Sequence, residues 1–180
     1  RKEIVAFTEI IPQDELVQEG LDLARQAYME FIPTPKAKSR PEDKETAGMM
    51  MKAAVPILDI NNEVWGVIYG GTLLNRNYEI VDKIKDVVFR GERYKGKDTG
   101  TATIMQWDLR ISTNVKDQNG LRAIGTRVAR EVYDQVLENG RAFIDRAFVV
   151  NEWYIAAYEP IRNTRGEIIG ILYVGTLEAP

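Results

Sequence analysis

The sequence predicts an α+β fold whose sheet is antiparallel. Three observations predict it. Apolar strand-like segments follow one another through short polar turns, which is the hairpin signature. Helical spacing appears in only a few separated stretches. The third observation is an internal repeat: residues 56–74 (PILDINNEVWGVIYGGTLL) and 160–178 (PIRNTRGEIIGILYVGTLE) align without gaps, with eight identities in nineteen positions. Ala53 and Ala157 extend the match upstream. Each copy reads as a strand ending at Pro-Ile, a polar turn and an apolar return strand. Glycines inside the return strands (Gly66, Gly70, Gly71; Gly170, Gly175) mark bulges or close backbone approach. Duplication of one structural unit accounts for the repeat.

The elements follow in order. Ile4 to Phe7 opens a strand. Gln13 to Phe31 has helical spacing through Leu16, Leu21, Leu23, Ala24, Ala27 and Tyr28, with Pro12 at its start. Pro33, Pro35 and Pro41 keep the next stretch irregular. Gly48 to Leu58 is a strand. Asn75 to Asn77 caps a helix running to about Phe89, with Ile80, Ile84, Val87 and Val88 on one face. Gly91 to Gly100 is a charged linker. Thr101 to Trp107 and Leu109 to Val115 read as paired strands, and Lys116 to Gly120 as a turn. Thr126 to Asn139 reads as a helix stopped by Gly140. Ala142 to Val150, Trp153 to Arg162 and Glu167 to Leu177 complete the sheet. The expected division is a partial module over 1–78, a connecting helix and linker over 79–98, and a complete module over 99–180.

Composition excludes several functions. The 180 residues contain neither Cys nor His. Thiol nucleophiles, disulfides, Cys/His zinc sites and histidine-based triads are therefore ruled out. A net charge of −3, with cations interleaved among acids, leaves no basic face for nucleic acid. No carboxylate pair stands at a spacing that singles it out for acid–base work, so no enzyme is expected, and no cofactor. No apolar run reaches eighteen residues. Both ends fall against strand-like segments, and the chain reads as part of a longer protein.

Three segments carry a family resemblance: TATIMQWDLRISTNV (101–115), AIGTRV (123–128) and WYIAAYEPIRNTRGEIIGILYVGTLE (153–178). They resemble Cache-domain sensors, most closely the tandem arrangement on bacterial histidine kinases and chemoreceptors. TEIIPQDEL (8–16) and residues 53–86 resemble the end of the membrane-distal half of such tandems. The resemblance implies a PAS-like antiparallel sheet flanked by helices, one complete Cache module preceded by part of another. It implies a periplasmic domain of a membrane-anchored receptor that binds a small molecule and relays occupancy through its last strand.

The same resemblance places the ligand against one face of the strand ending at Pro160. Alternation puts Tyr154, Ala156 and Tyr158 on that face. Arg110 and Thr113 fall where related citrate-type sensors use hairpin residues. Trp107 is a candidate wall, and Arg127 and Arg146 are candidate cations. Arginine suits a carboxylate because its planar fork makes two parallel hydrogen bonds. Where citrate-type sensors carry cations on the strand, this chain has Ala156 and Tyr158. The expected ligand is therefore a monocarboxylate or a small polar metabolite. A homodimeric receptor is an expected arrangement, and a ligand-free relay or dimerisation module of such a receptor is the competing reading. An intracellular PAS domain holding flavin or haem is opposed by the missing Cys and His.

Overall fold

A computed structural model describes residues 2–178. Strand β1 (Val5–Ile11) leads into helices α1 (Gln13–Glu19) and α2 (Leu21–Ala27). Sequence spacing predicted one helix here; the structure divides it at Gly20, whose extended backbone ends α1 and begins α2. Two short strands, β2 (Met29–Glu30) and β3 (Lys44–Glu45), pair with each other around the proline-containing stretch. Strands β4 (Gly48–Leu58) and β5 (Val64–Leu73) form the first long hairpin. Helix α3 (Glu79–Val88) follows. The charged linker holds a small hairpin, β6 (Arg93–Tyr94) and β7 (Lys97–Asp98).

The second half contains β8 (Gly100–Gln106), β9 (Leu109–Thr113), the one-turn helix α4 (Arg130–Val132), a π-helical turn over Tyr133–Glu138, β10 (Phe143–Val149), β11 (Glu152–Arg162) and β12 (Ile168–Leu177). The expected helix from Thr126 is therefore short and late. Residues 125–128 instead bond to the outer edge of β9: Arg110 N–H donates to Thr126 O, and Val128 N–H to Asp108 O. These tertiary bonds override the local helical pattern.

The strands form a five-stranded antiparallel sheet ordered β10-β11-β12-β8-β9 and a three-stranded sheet ordered β1-β4-β5. One face of the larger sheet packs on α3. Ile104, Leu109, Ile111 and Ile169 meet Val81 there, together with Met29, Met49 and Leu74 from the first half. Helix α3, expected as part of a connector, thus covers the sheet. The opposite face carries Met105, Ala147, Tyr154, Ala156, Tyr158, Ile171 and Tyr173. It is covered by Val115, Ala123, Val128, Val132 and Val136. Because both faces are covered, β8 is buried along its whole length.

The internal repeat is a repeat of structure. In β4-β5, Pro56 pairs with Val67 and Ile57 with Gly66, and the register slips before Leu58. In β11-β12, Pro160 pairs with Ile171 and Ile161 with Gly170, and the register slips before Arg162. The turns match as well. Asp59 and Asn163 each accept two backbone N–H bonds through Oδ1, and Asn62 and Gly166 both have left-handed φ. Strand β1 lies on β4 in the same register as β10 on β11: Val5 faces Ala54 as Phe143 faces Tyr158. The two sheets differ in what lies beyond. β12 is bonded to β8, whereas β5 is an edge. Trp65 is accordingly 79% exposed and its equivalent Ile169 4%.

A buried asparagine ties the sheets together. Asn75 accepts from Met49 N–H at 2.9 Å through Oδ1 and donates through Nδ2 to Ala27 O and Gln106 Oε1. Gln106 in turn donates to Ala47 O.

Candidate functional site

The site lies on the face of the large sheet opposite α3. Register fixes one cross-strand row, Thr113–Thr103–Tyr173–Tyr158–Phe143. The adjacent row on that face runs Arg110–Met105–Ile171–Pro160. Arg110 and Thr113 are three residues apart and would face opposite ways in a regular strand. The irregularity between Ile104 and Met105 brings both to the same face, the re-aiming that bulges produce.

The row is packed and polar at once. The rings of Tyr158 and Tyr173 are 4.8 Å apart, and Phe143 meets Tyr158 edge-on at 5.8 Å. The Tyr173 and Thr101 hydroxyls share a hydrogen bond of 2.9 Å, and those of Thr103 and Thr113 one of 2.6 Å. Gly175 makes room for this arrangement: a Cβ there would lie 2.2 Å from the Tyr173 hydroxyl. Burial pushes Tyr154 and Tyr158 up to about 12 and Tyr173 well above the ordinary tyrosine value. All three are therefore neutral hydroxyls at physiological pH.

Arg110 is the charged member. It is 2% exposed. Its Nη1 donates to Thr126 Oγ1 at 3.1 Å and to Arg127 O at 3.0 Å. Its Nε is buried with no hydrogen-bond partner, and no carboxylate pairs with it among the described residues. Burial pulls its pKa below the usual guanidinium value, and an arginine still stays charged. Asp108, which pairs with Arg127, acts on Arg110 only at longer range, and a buried charge with no directly bonded partner is costly.

Arg110 and Tyr158 border a small, narrow cavity of about 20 Å3, together with Val132, Ala147, Arg127 and the segment Thr34–Lys36. Farther along the face, Tyr154 and Thr101 line a wider cleft of about 430 Å3 with Asn114, Asp117, Gln118 and Asn151.

The structure thus gathers Arg110, Thr113, Tyr154, Ala156 and Tyr158 on one face. Arg127 borders the cavity, but its guanidinium is engaged by buried Asp108, with Nε and Nη2 at 2.8 and 2.7 Å from Oδ2. Trp107 stands at the β8–β9 turn with left-handed φ, partly exposed, on a separate cleft with Arg40 and Tyr133. Arg146 points to the other face, stacked over Trp153 and paired with Glu178 at 2.6 Å. Tyr173 belongs to the polar row, and Thr101 joins it through the bond between their hydroxyls; neither was among the expected site residues. The β11-β12 register, carried from Pro160, was the signal for Tyr173. Nothing local signalled Thr34 or Thr126. Among the described residues no cluster of His, Cys, Asp and Glu is arranged to hold a metal.

Residues 72–180 match the family described as single Cache domain 3. The chain belongs to the Cache family. No curated protein matches the sequence. Cache domains are extracytoplasmic sensor modules of signalling receptors, and they bind small-molecule ligands. In this Cache domain the matched segment contains the whole five-stranded sheet, α3 and every residue of the polar row. Among the described residues no helix is long and apolar enough to cross a membrane.

Proposed function

We propose that the domain is the periplasmic sensor of a membrane receptor of the histidine-kinase or chemoreceptor type, and that it binds a small monocarboxylate at Arg110. The observation that carries this reading is the buried guanidinium with an unpartnered Nε and no carboxylate bonded directly to it among the described residues. A carboxylate at the Nε edge supplies the missing charge and completes the hydrogen bonding. Tyr158, which lines the same cavity, is neutral and does not compete for that charge. The strand positions Ala156 and Tyr158 carry no charge beside Arg110, which favours a single carboxylate over a polycarboxylate. Occupancy bears on β12 (Ile168–Leu177), the last strand of the sheet, through Tyr173.

Calorimetric titration with acetate, propionate, lactate and pyruvate tests the reading. At least one should bind, and Arg110→Lys should weaken it about tenfold or more, since an ammonium cannot make the bidentate pair. Binding that survives Arg110→Met unchanged would remove Arg110 from the site. A second reading, a ligand-free relay module, is favoured by the small volume of the cavity. Absence of any stabilisation by these acids at millimolar concentration would support it.

The register-matched β1-β4-β5 sheet supports a further part of the proposal: it is the closing half of a second Cache sheet, in a tandem with the first. Gly170 has no Cβ because one would lie 2.1 Å from the Met105 carbonyl of β8. Its equivalent, Gly66, has only Ile57 Cδ1 nearby, at 3.7 Å. Gly66 fits a strand running beside β5 as β8 runs beside β12.

A further inference from the structure

The segment Pro33–Ala37 lies outside the part of the chain that matches the family. It nevertheless forms one wall of the Arg110 cavity, through Thr34, Pro35 and Lys36. We propose that this strap is the gate of the ligand site, and that it must move for an organic ligand to reach Arg110. The proposal rests on the reading of Arg110 as the ligand anchor and adds the route by which a ligand arrives.

Size comes first. A cavity of about 20 Å3 holds roughly one water molecule. No organic acid fits, so a wall must yield. The walls are unequal. Arg110 and Tyr158 belong to hydrogen-bonded strands, and Val132 and Ala147 to the buried apolar cluster. The strap belongs to no buried cluster among the described residues. Pro33 and Pro35 have no N–H with which to bond to the domain. What holds the strap is three hydrogen bonds to the rest of the domain, the bridge of Ala37 to Ala129 that one of them belongs to, and Lys36 lying over the Phe148 and Trp153 rings at 5.8 and 5.7 Å. Ile32 N–H donates to Gly125 O at 2.9 Å, Arg127 N–H to Thr34 Oγ1 at 3.0 Å, and Arg130 N–H to Lys36 O at 2.8 Å. Segments with few buried contacts and exposed hydrogen bonds open at the lowest free energy.

The strap is also wired to the anchor. Arg127 donates its N–H to Thr34, and its carbonyl accepts from Arg110 Nη1. One residue therefore touches both gate and ligand anchor. The strap continues through β3 into β4, so its displacement reaches the three-stranded sheet.

The chain has no cysteine, which permits a direct test. Ala147→Cys places one thiol at the cavity wall, at a position 2% exposed. Ala102→Cys places a control thiol at an equally buried position beneath α3. Each is reacted with a small neutral methanethiosulfonate. Adding Thr34→Ala should speed modification of the cavity thiol about fivefold, the change in open population expected from loss of one hydrogen bond. The control should not change. Val132→Cys serves as a second cavity thiol should Ala147→Cys fold poorly, and Pro35→Gly as a second loosening change. Equal rates with and without the strap substitutions would overturn the proposal. So would parallel acceleration of cavity and control thiols, which reports global loosening. The readout needs no ligand, so it fails independently of the carboxylate reading. That reading is tested separately, by whether acetate protects the cavity thiol.

Discussion

Arg110 donates through Nη1 to the main-chain carbonyl of Arg127 at 3.0 Å, yet only Arg127 has a carboxylate of its own. Two buried arginines thus stand side by side with opposite electrostatic fates. Replacing Arg127 by Met leaves Asp108, nearly inaccessible, with only Arg40 Nη1 at 3.3 Å. Breaking such a pair costs roughly 3 kcal/mol. Replacing Arg110 by Met removes an unpaired buried charge, so the ligand-free domain should be as stable as before or up to about 1 kcal/mol more stable. Urea unfolding of the two variants measures the contrast. Equal destabilisation would mean that Arg110 is compensated in the fold and is not waiting for an anion.

Alkaline pH should destabilise the domain from about pH 10 upward. Tyr158 is held near 12 by burial, against an ordinary value of 10. Below pH 10 the phenol is neutral in both folded and unfolded chains, and its contribution to stability is intact. Between 10 and 12 only the unfolded chain ionises, so stability falls as pH rises. The slope for one such group is about 1.4 kcal/mol per pH unit, or roughly 2 to 3 kcal/mol across the window. Tyr173 and Tyr154 shift in the same direction. Tyr158→Phe should flatten the fall. Phenolate absorbance provides the check: if every tyrosine titrates near 10 in the folded protein, the buried row is not as packed as described.

Much of this arrangement was legible in the sequence, and the exceptions share a cause. Strand β4 runs from Gly48 to Leu58 as its apolar pattern predicted. The Tyr154–Ala156–Tyr158 face follows from period-two alternation alone. The repeat foretold two hairpins with one register. Helix breaking at Gly20 was weakly signalled, since an internal glycine costs only about 1 kcal/mol. The failure at Thr126 was of another kind: its backbone bonds to β9, a contact made across 16 residues. The strap is more distant still, with Thr34 meeting Arg127 across 93. Local pattern does not encode such meetings. They decide the candidate site, which is why Trp107 and Arg146 were expected near it and Thr34 was not.

The paired glycines of the repeat make a prediction about the edge of β5. Gly170→Ala sets a methyl 2.1 Å from the Met105 carbonyl and 2.6 Å from Met49 Cε. Backbone must move, and a loss of about 3 kcal/mol is expected. Gly66→Ala meets only Ile57 Cδ1, at an ordinary contact distance of 3.7 Å, and gains the reduced chain entropy of alanine, about 0.5 to 1 kcal/mol. Thermal unfolding distinguishes the two. If Gly66→Ala also destabilises this domain, the space beside β5 is already filled and the match to β12 beside β8 is not what its glycine records.

Asn75 should couple the two sheets energetically. It is fully buried at the start of the turn after β5 and bonds to Met49, Ala27 and Gln106 at once. Its own carbonyl accepts from Gln26 at 2.6 Å. Asn75→Ala leaves the Met49 N–H without its partner, and Gln106 keeps only its bond to Ala47 O. One stranded buried donor costs about 1 to 3 kcal/mol, and the cost falls at the junction between the sheets. Unfolding of this variant should therefore lose cooperativity. Tryptophan fluorescence, with Trp65 in the small sheet and Trp153 in the large one, should separate into two transitions once each tryptophan is reported alone. A single transition with a lower midpoint would instead mean that the apolar contacts of Met29, Met49 and Leu74 with Ile104 and Ile169 suffice to hold the sheets together.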